Sequence, residues 1–198
     1  NTNLYVGGST GLLRSTNNGE SWTAASAVNR NVSSIAINPE APQSIYAAAN
    51  NQLYRSQDGG ESWNIVFHPS QQIYSVAFKP DAPNTIYTGA RNGLFISRDG
   101  GVGWSKAPIQ AISGSNSSPF LRIDPRRPEA LYMGWGTELF ISPDAGHNWF
   151  RLTQGAPGLT VNDLAVDAGE PLTLYATFRD GAGGIWQYTL TNLPEPPT

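Results

Sequence analysis

Ser56-Gln-Asp58-Gly-Gly60-Glu-Ser-Trp63 decides the fold, because the chain repeats it. The pattern S-x-D-x-G-x-x-W also reads Ser15-Thr-Asn17-Asn-Gly19-Glu-Ser-Trp22, Ser97-Arg-Asp99-Gly-Gly101-Val-Gly-Trp104 and Ser142-Pro-Asp144-Ala-Gly146-His-Asn-Trp149. Its serines, at 15, 56, 97 and 142, recur after 41, 41 and 45 residues. A fixed period in this range marks a repeat architecture. A second marker lies between the copies: Leu4-Tyr5, Ile45-Tyr46, Ile86-Tyr87, Leu131-Tyr132 and Leu174-Tyr175. Before each of the last four comes a short apolar segment, and in three of them a proline-rich turn follows it, as in Ser34-Ile-Ala-Ile-Asn-Pro39.

Each unit therefore holds four candidate strands. They are the I-A-I type segment, the segment opened by the Ile/Leu-Tyr pair, the Leu53-Tyr-Arg-Ser56 type segment, and the one that starts at the motif's Trp. All are short, rich in β-branched and aromatic types, and bounded by turn residues. No window shows a helical period of apolar residues. Four antiparallel strands per repeat of about 40–45 residues make the blade of a β-propeller. The motif is its hairpin turn. The Asp, or Asn17 in the first copy, accepts hydrogen bonds from turn amides. Gly19, Gly60, Gly101 and Gly146 supply a backbone angle other residues avoid, and Trp22, Trp63, Trp104 and Trp149 lay a ring over the turn. Four regular copies suit scaffolding better than one active site.

At 198 residues, a chain can bury roughly 70% of its unfolded surface, and none of its stability needs a disulfide. The chain has no cysteine, 21 glycines, 15 prolines and only 14% charged residues. A net charge of −3 gives no bulk attraction to nucleic acid or an anionic membrane. No apolar run is long enough to span a bilayer. Ten arginines stand against Lys79 and Lys106 alone, which suits specific polar contacts better than solubility. The chain starts at Asn1 without Met, which reads as a processed or trimmed product, and its Asn, Ser, Thr and Trp richness with few Lys leans toward an extracytoplasmic protein (secreted, periplasmic or thylakoid-lumen-like).

The pattern resembles the Asp-box, or BNR repeat, over about nine tenths of the chain. Asp-box families include sialidases, xyloglucan-cleaving glycoside hydrolases, sortilin-type receptors and the photosystem II stability/assembly factors. The resemblance implies a propeller with the boxes at its periphery, away from the functional centre. The Ile/Leu-Tyr pair and proline turn look most like the xyloglucanase and assembly-factor branch. Enzymes and binders share the box, so it does not settle activity.

The strand count is three, then three times four, then three. It predicts an all-β propeller of five blades with three-stranded terminal blades, in one domain over 1–192, with 193–198 as a proline-rich tail. The alternative is an excised part of a larger propeller, whose open edges need a partner. The box turns share one face with the proline turns. The other face carries the loops into strand one and the turns between strands two and three. It varies from repeat to repeat, which makes it the natural place for recognition.

On that face Trp135 replaces Gly8, Ala49 and Ala90, and is read as an exposed ring for a sugar or a partner or as local packing. Arg122 replaces Ala36, Ala77 and Ala165, and is either ion-paired in the interior or turned to the central channel. Arg30, Arg91 and Arg179 form a candidate basic rim with Arg122, and Gln72 lies in a candidate binding loop. His68 and His147 lack metal-ligand spacing, and neither a metal site nor a cofactor motif is present. Among carboxylates, Asp163 is an outlier against Ser34, Ser75 and Phe120, and Asp180 shares its blade, with Glu138 the third on this face. Two facing carboxylates, the usual demand of glycoside hydrolysis, do not stand out. The sequence thus predicts a non-catalytic module that binds a protein partner or complex subunit through its variable loops. Carbohydrate recognition is the alternative, and glycoside hydrolysis comes third.

Overall fold

The computed structural model describes residues 3–109, 119–152, 160–167, 169, 172–178, 184–190 and 194. Among the described residues every regular element is a β-strand. The chain forms two compact units, 1–105 and 106–198. The first holds three antiparallel sheets. These are β1 (Leu4–Gly8), β2 (Gly11–Ser15) and β3 (Thr23–Ala24); β4 (Val32–Ile37), β5 (Ile45–Ala49), β6 (Gln52–Ser56) and β7 (Asn64–Phe67); and β8 (Ile73–Phe78), β9 (Ile86–Ala90), β10 (Gly93–Ser97) and β11 (Ser105–Lys106), whose last residue crosses the unit boundary. The second holds β12 (Phe120–Ile123), β13 (Leu131–Trp135), β14 (Glu138–Ser142) and β15 (Phe150–Leu152), then β16 (Val161–Asp167), β17 (Leu172–Phe178) and β18 (Ile185–Leu190). Each strand pairs with its chain neighbours, so each sheet is a meander. The sheets have three, four, four, four and three strands, the blades that the two sequence markers predict.

Burial on both faces explains the composition of the second strands. In the four-stranded sheets β5, β9 and β13 are buried at every position. Ile45, Ala47 and Ala49 enter one core with Leu12, Val28, Val32, Tyr54 and Trp63, while Tyr46 and Ala48 enter another with Leu53, Ile73 and Ile86. Each fully buried Leu or Ile contributes about 1.5–3 kcal/mol. Blades approach closely enough to demand glycine. A Cβ on Gly7 would lie 2.5 Å from Val32 Cγ1, and one on Gly134 2.6 Å from Val161 Cγ1.

The box closes the third and outer strands with one repeated network. The serine Oγ accepts from the glycine amide, at 2.8 Å in Ser15–Gly19, 2.7 Å in Ser56–Gly60, 2.8 Å in Ser97–Gly101 and 2.8 Å in Ser142–Gly146. The same hydroxyl donates to Asn17, Asp58, Asp99 or Asp144 at 2.7–2.9 Å. That side chain then accepts the amide four residues on, from Ser21, Ser62, Gly103 or Asn148. The Trp Nε1 donates back to the glycine carbonyl at 3.1–3.2 Å in all four. The glycines take φ of 87–93°, the left-handed region that L side chains occupy only at a cost.

The recurrent tyrosine locks one blade to the next. Tyr5 Oη donates to the Gly59 carbonyl at 2.7 Å, and Tyr46 Oη to the Gly100 carbonyl at 2.7 Å, 54 residues away in each case. Both acceptors lie in the following blade's box. In the second unit the Tyr132 hydroxyl is buried beside the Asp124 carboxylate, without a hydrogen bond in good geometry to any described residue.

Two outcomes test the box. Ser56→Ala strips a fully buried hydroxyl from the Gly60 amide and Asp58, and is expected to cost about 1–3 kcal/mol in denaturant unfolding. An unchanged midpoint contradicts this. Hydrogen bonds from Ser62 hold the Asp58 carboxyl well below the usual range, and the Gly103 amide does the same for Asp99. A folded-state pKa below the unfolded one stabilises fully above about pH 4, and the contribution is lost as pH falls from there. Asp58→Asn, which copies the Asn17 box, is therefore expected to leave the fold intact at pH 7 and flatten the acid limb of the stability profile. An acid limb as steep as wild type refutes the assignment.

Candidate functional site

Register fixes which ends of the strands the box leaves free. In the third blade Ser97 pairs with Ile86 and Gly93 with Ala90, so the box and the Arg91-Asn92 turn stand at opposite ends of one hairpin. Five residues at about 3.3 Å each separate them by roughly 17 Å. In the first unit the free end is tied by backbone hydrogen bonds. The Asn50 amide donates to Asn31 O at 3.1 Å, the Arg91 amide to Gln72 O at 2.9 Å, and the Ile73 amide to Asn50 O at 2.6 Å. In the second unit the Val161 amide donates to Gly136 O at 2.7 Å, the equivalent, between the fourth and fifth sheets, of the Ile73–Asn50 link.

On this frame the side chains differ from blade to blade. Gln72 and Arg91 come together through Tyr74. The Tyr74 hydroxyl lies 3.5 Å from Gln72 Oε1, and Arg91 Nε lies 3.4 Å from that hydroxyl. Tyr74 sits at a β-bulge that recurs in strand one, after Val32, Ile73 and Val161. Sequence reading overlooked Tyr74, although its repeat mates Ser33 and Asn162 differ in type and mark the position as variable. Next to it, Asn51 Nδ2 and His68 Nε2 lie 2.8 Å apart in an exposed loop pair, and Asn92 Nδ2 reaches Pro69 O at 3.5 Å. Arg30 is exposed on the same end and makes no ion pair with another described residue. Arg179 and Asp180 lie outside the described residues.

Trp135 and Arg122 each carry two readings. Trp135 is 2% exposed, which agrees with local packing and not with a free ring on the surface. It ends β13, a strand buried on both faces, at the position where Ala49 and Ala90 are also fully buried, so size and not exposure distinguishes it. Its Nε1 has no hydrogen-bond partner among the described residues. Arg122 is paired, but not in the interior. Its Nη2 donates to Asp163 Oδ1 at 2.5 Å, with side chains 41% and 56% exposed. The Asp163 carboxylate also accepts the Leu164 amide at 2.8 Å. The two outliers of the repeat thus join the inner strands β12 and β16. Between β4 and β8 two serines do this work. Ser33 Oγ donates to Ile73 O at 2.8 Å, and the Val76 amide donates to Ser34 Oγ at 3.2 Å. Glu138, the third carboxylate considered, pairs with Arg151 at 3.2 Å. Among the described residues no group of three His, Cys, Asp or Glu side chains could hold a metal. Among the described residues no helix is long and apolar enough to cross a membrane.

The sheets and boxes together define a BNR-type, Asp-box β-propeller chain. A sortilin (neurotensin receptor 3) family model matches residues 10–107. No curated protein matches the sequence at a significant level. Among solved structures, an ancestral GH74 enzyme is similar at TM-score 0.82 and 22% identity, over 96% of this chain and 28% of that one. The GH74 xyloglucanase from Xanthomonas campestris follows at 0.77 and 20%, over 98% and 36%. YCF48 from Cyanidioschyzon merolae is similar at 0.59 and 14%, over 81% and 53%, and YCF48 has also been solved bound to a D1 peptide. The chain therefore spans about a quarter to a half of the length of these proteins, and the likeness is one of fold.

A double-mutant cycle on Arg122→Ala and Asp163→Ala is expected to give a coupling of about 1 kcal/mol or less that shrinks with salt, as for other half-exposed pairs. A salt-insensitive coupling of several kcal/mol contradicts a solvated seam contact.

Proposed function

We propose that this chain is a non-catalytic binding module that takes a protein partner on the end opposite its boxes. One observation carries the reading. In the first unit the box end repeats a single network three times, whereas the other end presents Ser9-Thr10, Asn50-Asn51 and Arg91-Asn92 from equivalent turns, the last two tied by backbone hydrogen bonds. A rigid frame with changing side chains suits recognition. Gln72, Tyr74, Arg91 and Arg30 are the contact residues in the first unit. Tyr and Arg are favoured at the centres of protein interfaces. The binding of a D1 peptide by YCF48, a protein of similar fold, supports the same class of partner. An extracytoplasmic location accompanies this reading.

Carbohydrate recognition is the second reading, favoured by the polar loop pair Asn51 and His68 beside Gln72 and by the likeness to GH74 enzymes. Buried Trp135 is not its stacking platform. Hydrolysis has less support, since Asp163 is engaged by Arg122 and Glu138 by Arg151.

The test places a photo-crosslinking residue at Arg91 and, separately, at the exposed Val102 of the third box, in extract of the native host. The reading expects one saturable protein adduct from position 91, competed by unlabelled wild type but not by Tyr74→Ala/Arg91→Ala, and none from position 102. Equal adducts from both positions refute it. Saturable binding on a glycan array without a protein adduct moves the function to carbohydrate.

A further inference from the structure

A cavity of about 290 Å³ lies beside the first two boxes, between the first and second sheets. Arg14, Thr16, Thr23, Ser26 and Glu61 supply its polar wall, and Ala24, Ala25 and Gly60 the rest. Small-molecule pockets start at about 300 Å³, so the space suits a small ligand. It lies where the outer strand is built of small residues. Ala24-Ala25-Ser26 stands in the first repeat where Ile65-Val66-Phe67 stands in the second. In the next junction Phe67 stacks on Trp104 with ring centres 4.7 Å apart, and Ser26 has no ring to do the same.

The fold leaves the polar groups of this wall unused. Nε is buried without a partner in both Arg14 and its repeat mate Arg55, yet the two guanidinium tips differ. Arg55 Nη1 donates to the Gly100 carbonyl at 3.1 Å, and its guanidinium covers the Tyr46 ring at 5.6 Å. Arg14 Nη1 instead faces Glu61 Oε1 at 3.7 Å, beyond the roughly 2.7–2.9 Å of a charge-assisted hydrogen bond. Neither the Glu61 carboxylate nor the hydroxyls of Thr16, Thr23 and Ser26 hydrogen-bond another described residue. In the next junction Val102 stands where Glu61 does, so this pair of opposite charges is not a requirement of the repeat.

We propose that the cavity binds a small α-amino acid. A guanidinium holds a carboxylate through paired N–H donors, and a carboxylate beside it accepts from an ammonium group. An α-amino acid carries both charges with one carbon between them, so it meets Arg14 and Glu61 together. Wall and ligand are each neutral overall, and no charge is left without its counterpart. The three hydroxyls donate to or accept from the ligand's remaining lone pairs and protons. The cavity leaves room for a short side chain. This site lies at the box end and is independent of the partner surface around Gln72, Tyr74 and Arg91.

The test titrates glycine and L-serine into isotope-labelled protein and follows the backbone amides by NMR, with acetate, ethylamine and glycerol as controls. Both amino acids are expected to give saturable shifts confined to residues 14–16, 23–26 and 60–61, and the controls are not. Arg14→Gln and Glu61→Gln are each expected to weaken binding about tenfold or more, the loss of a hydrogen-bonded charge. Arg14 Cδ lies against Gly60, so thermal unfolding checks that its variant is folded. Ser26→Phe, at an exposed position, fills the space while keeping both charges, and is expected to abolish binding. The absence of saturable shifts at millimolar L-serine overturns the proposal. So do equal shifts from acetate or glycerol, which make the cavity a general solute contact, and binding that survives Glu61→Gln or Ser26→Phe unchanged.

Discussion

Burial of the second strand on both of its faces is the constraint on which the rest of the structure depends. A strand packed from two sides cannot alternate apolar and polar residues, and β5, β9 and β13 do not. Within the first unit β5 has a sheet on either side, and neighbouring sheets come close enough that Gly7 and Gly134 leave no room for a Cβ. Sheets packed this way present all their turns at two ends, so scaffold and variable loops separate by geometry alone. The box then serves at one end as a rigid closure, and its glycine carbonyls give the neighbouring tyrosine an acceptor. Local turn chemistry and contact between blades are thus the same network.

The variable end inherits its rigidity from this arrangement. Backbone hydrogen bonds at 2.6–3.1 Å hold Asn50, Arg91 and Gly136 against the loops that lead into strand one. The side chains there owe nothing to the core and are free to differ. Asn50 and Ser70 even adopt φ of 52° and 62°, a conformation rare for residues other than glycine. Tyr74, Gln72 and Arg91 form a polar group whose parts come from strand, loop and turn. A surface of this kind suits recognition.

The blades were legible because they repeat. The spacing of 41–45 residues aligns four boxes and five Ile/Leu-Tyr pairs, and each strand follows from that alignment. The three-stranded end sheets were legible for the same reason. Trp135 was not, because exposure at the end of β13 depends on what packs from both sides, and one strand's sequence shows neither neighbour. Arg122 and Asp163 each stood out from the repeat, yet their pairing depends on the offset between adjacent inner strands. The tyrosine's role was hidden likewise, since its acceptor lies 54 residues away, one repeat and part of the next. Periodicity reveals what recurs within a blade, and contacts between blades appear only once the sheets are stacked.

The most direct measurement is native-state hydrogen exchange at the amides of Gly60 and Gly101, which donate to buried serine hydroxyls. If the box and the doubly buried strand form one cooperative unit, these amides open with the same free energy as those of β5 and β9. Fast local exchange at the glycines, with β5 and β9 still protected, would show the boxes to be surface turns and contradict the account.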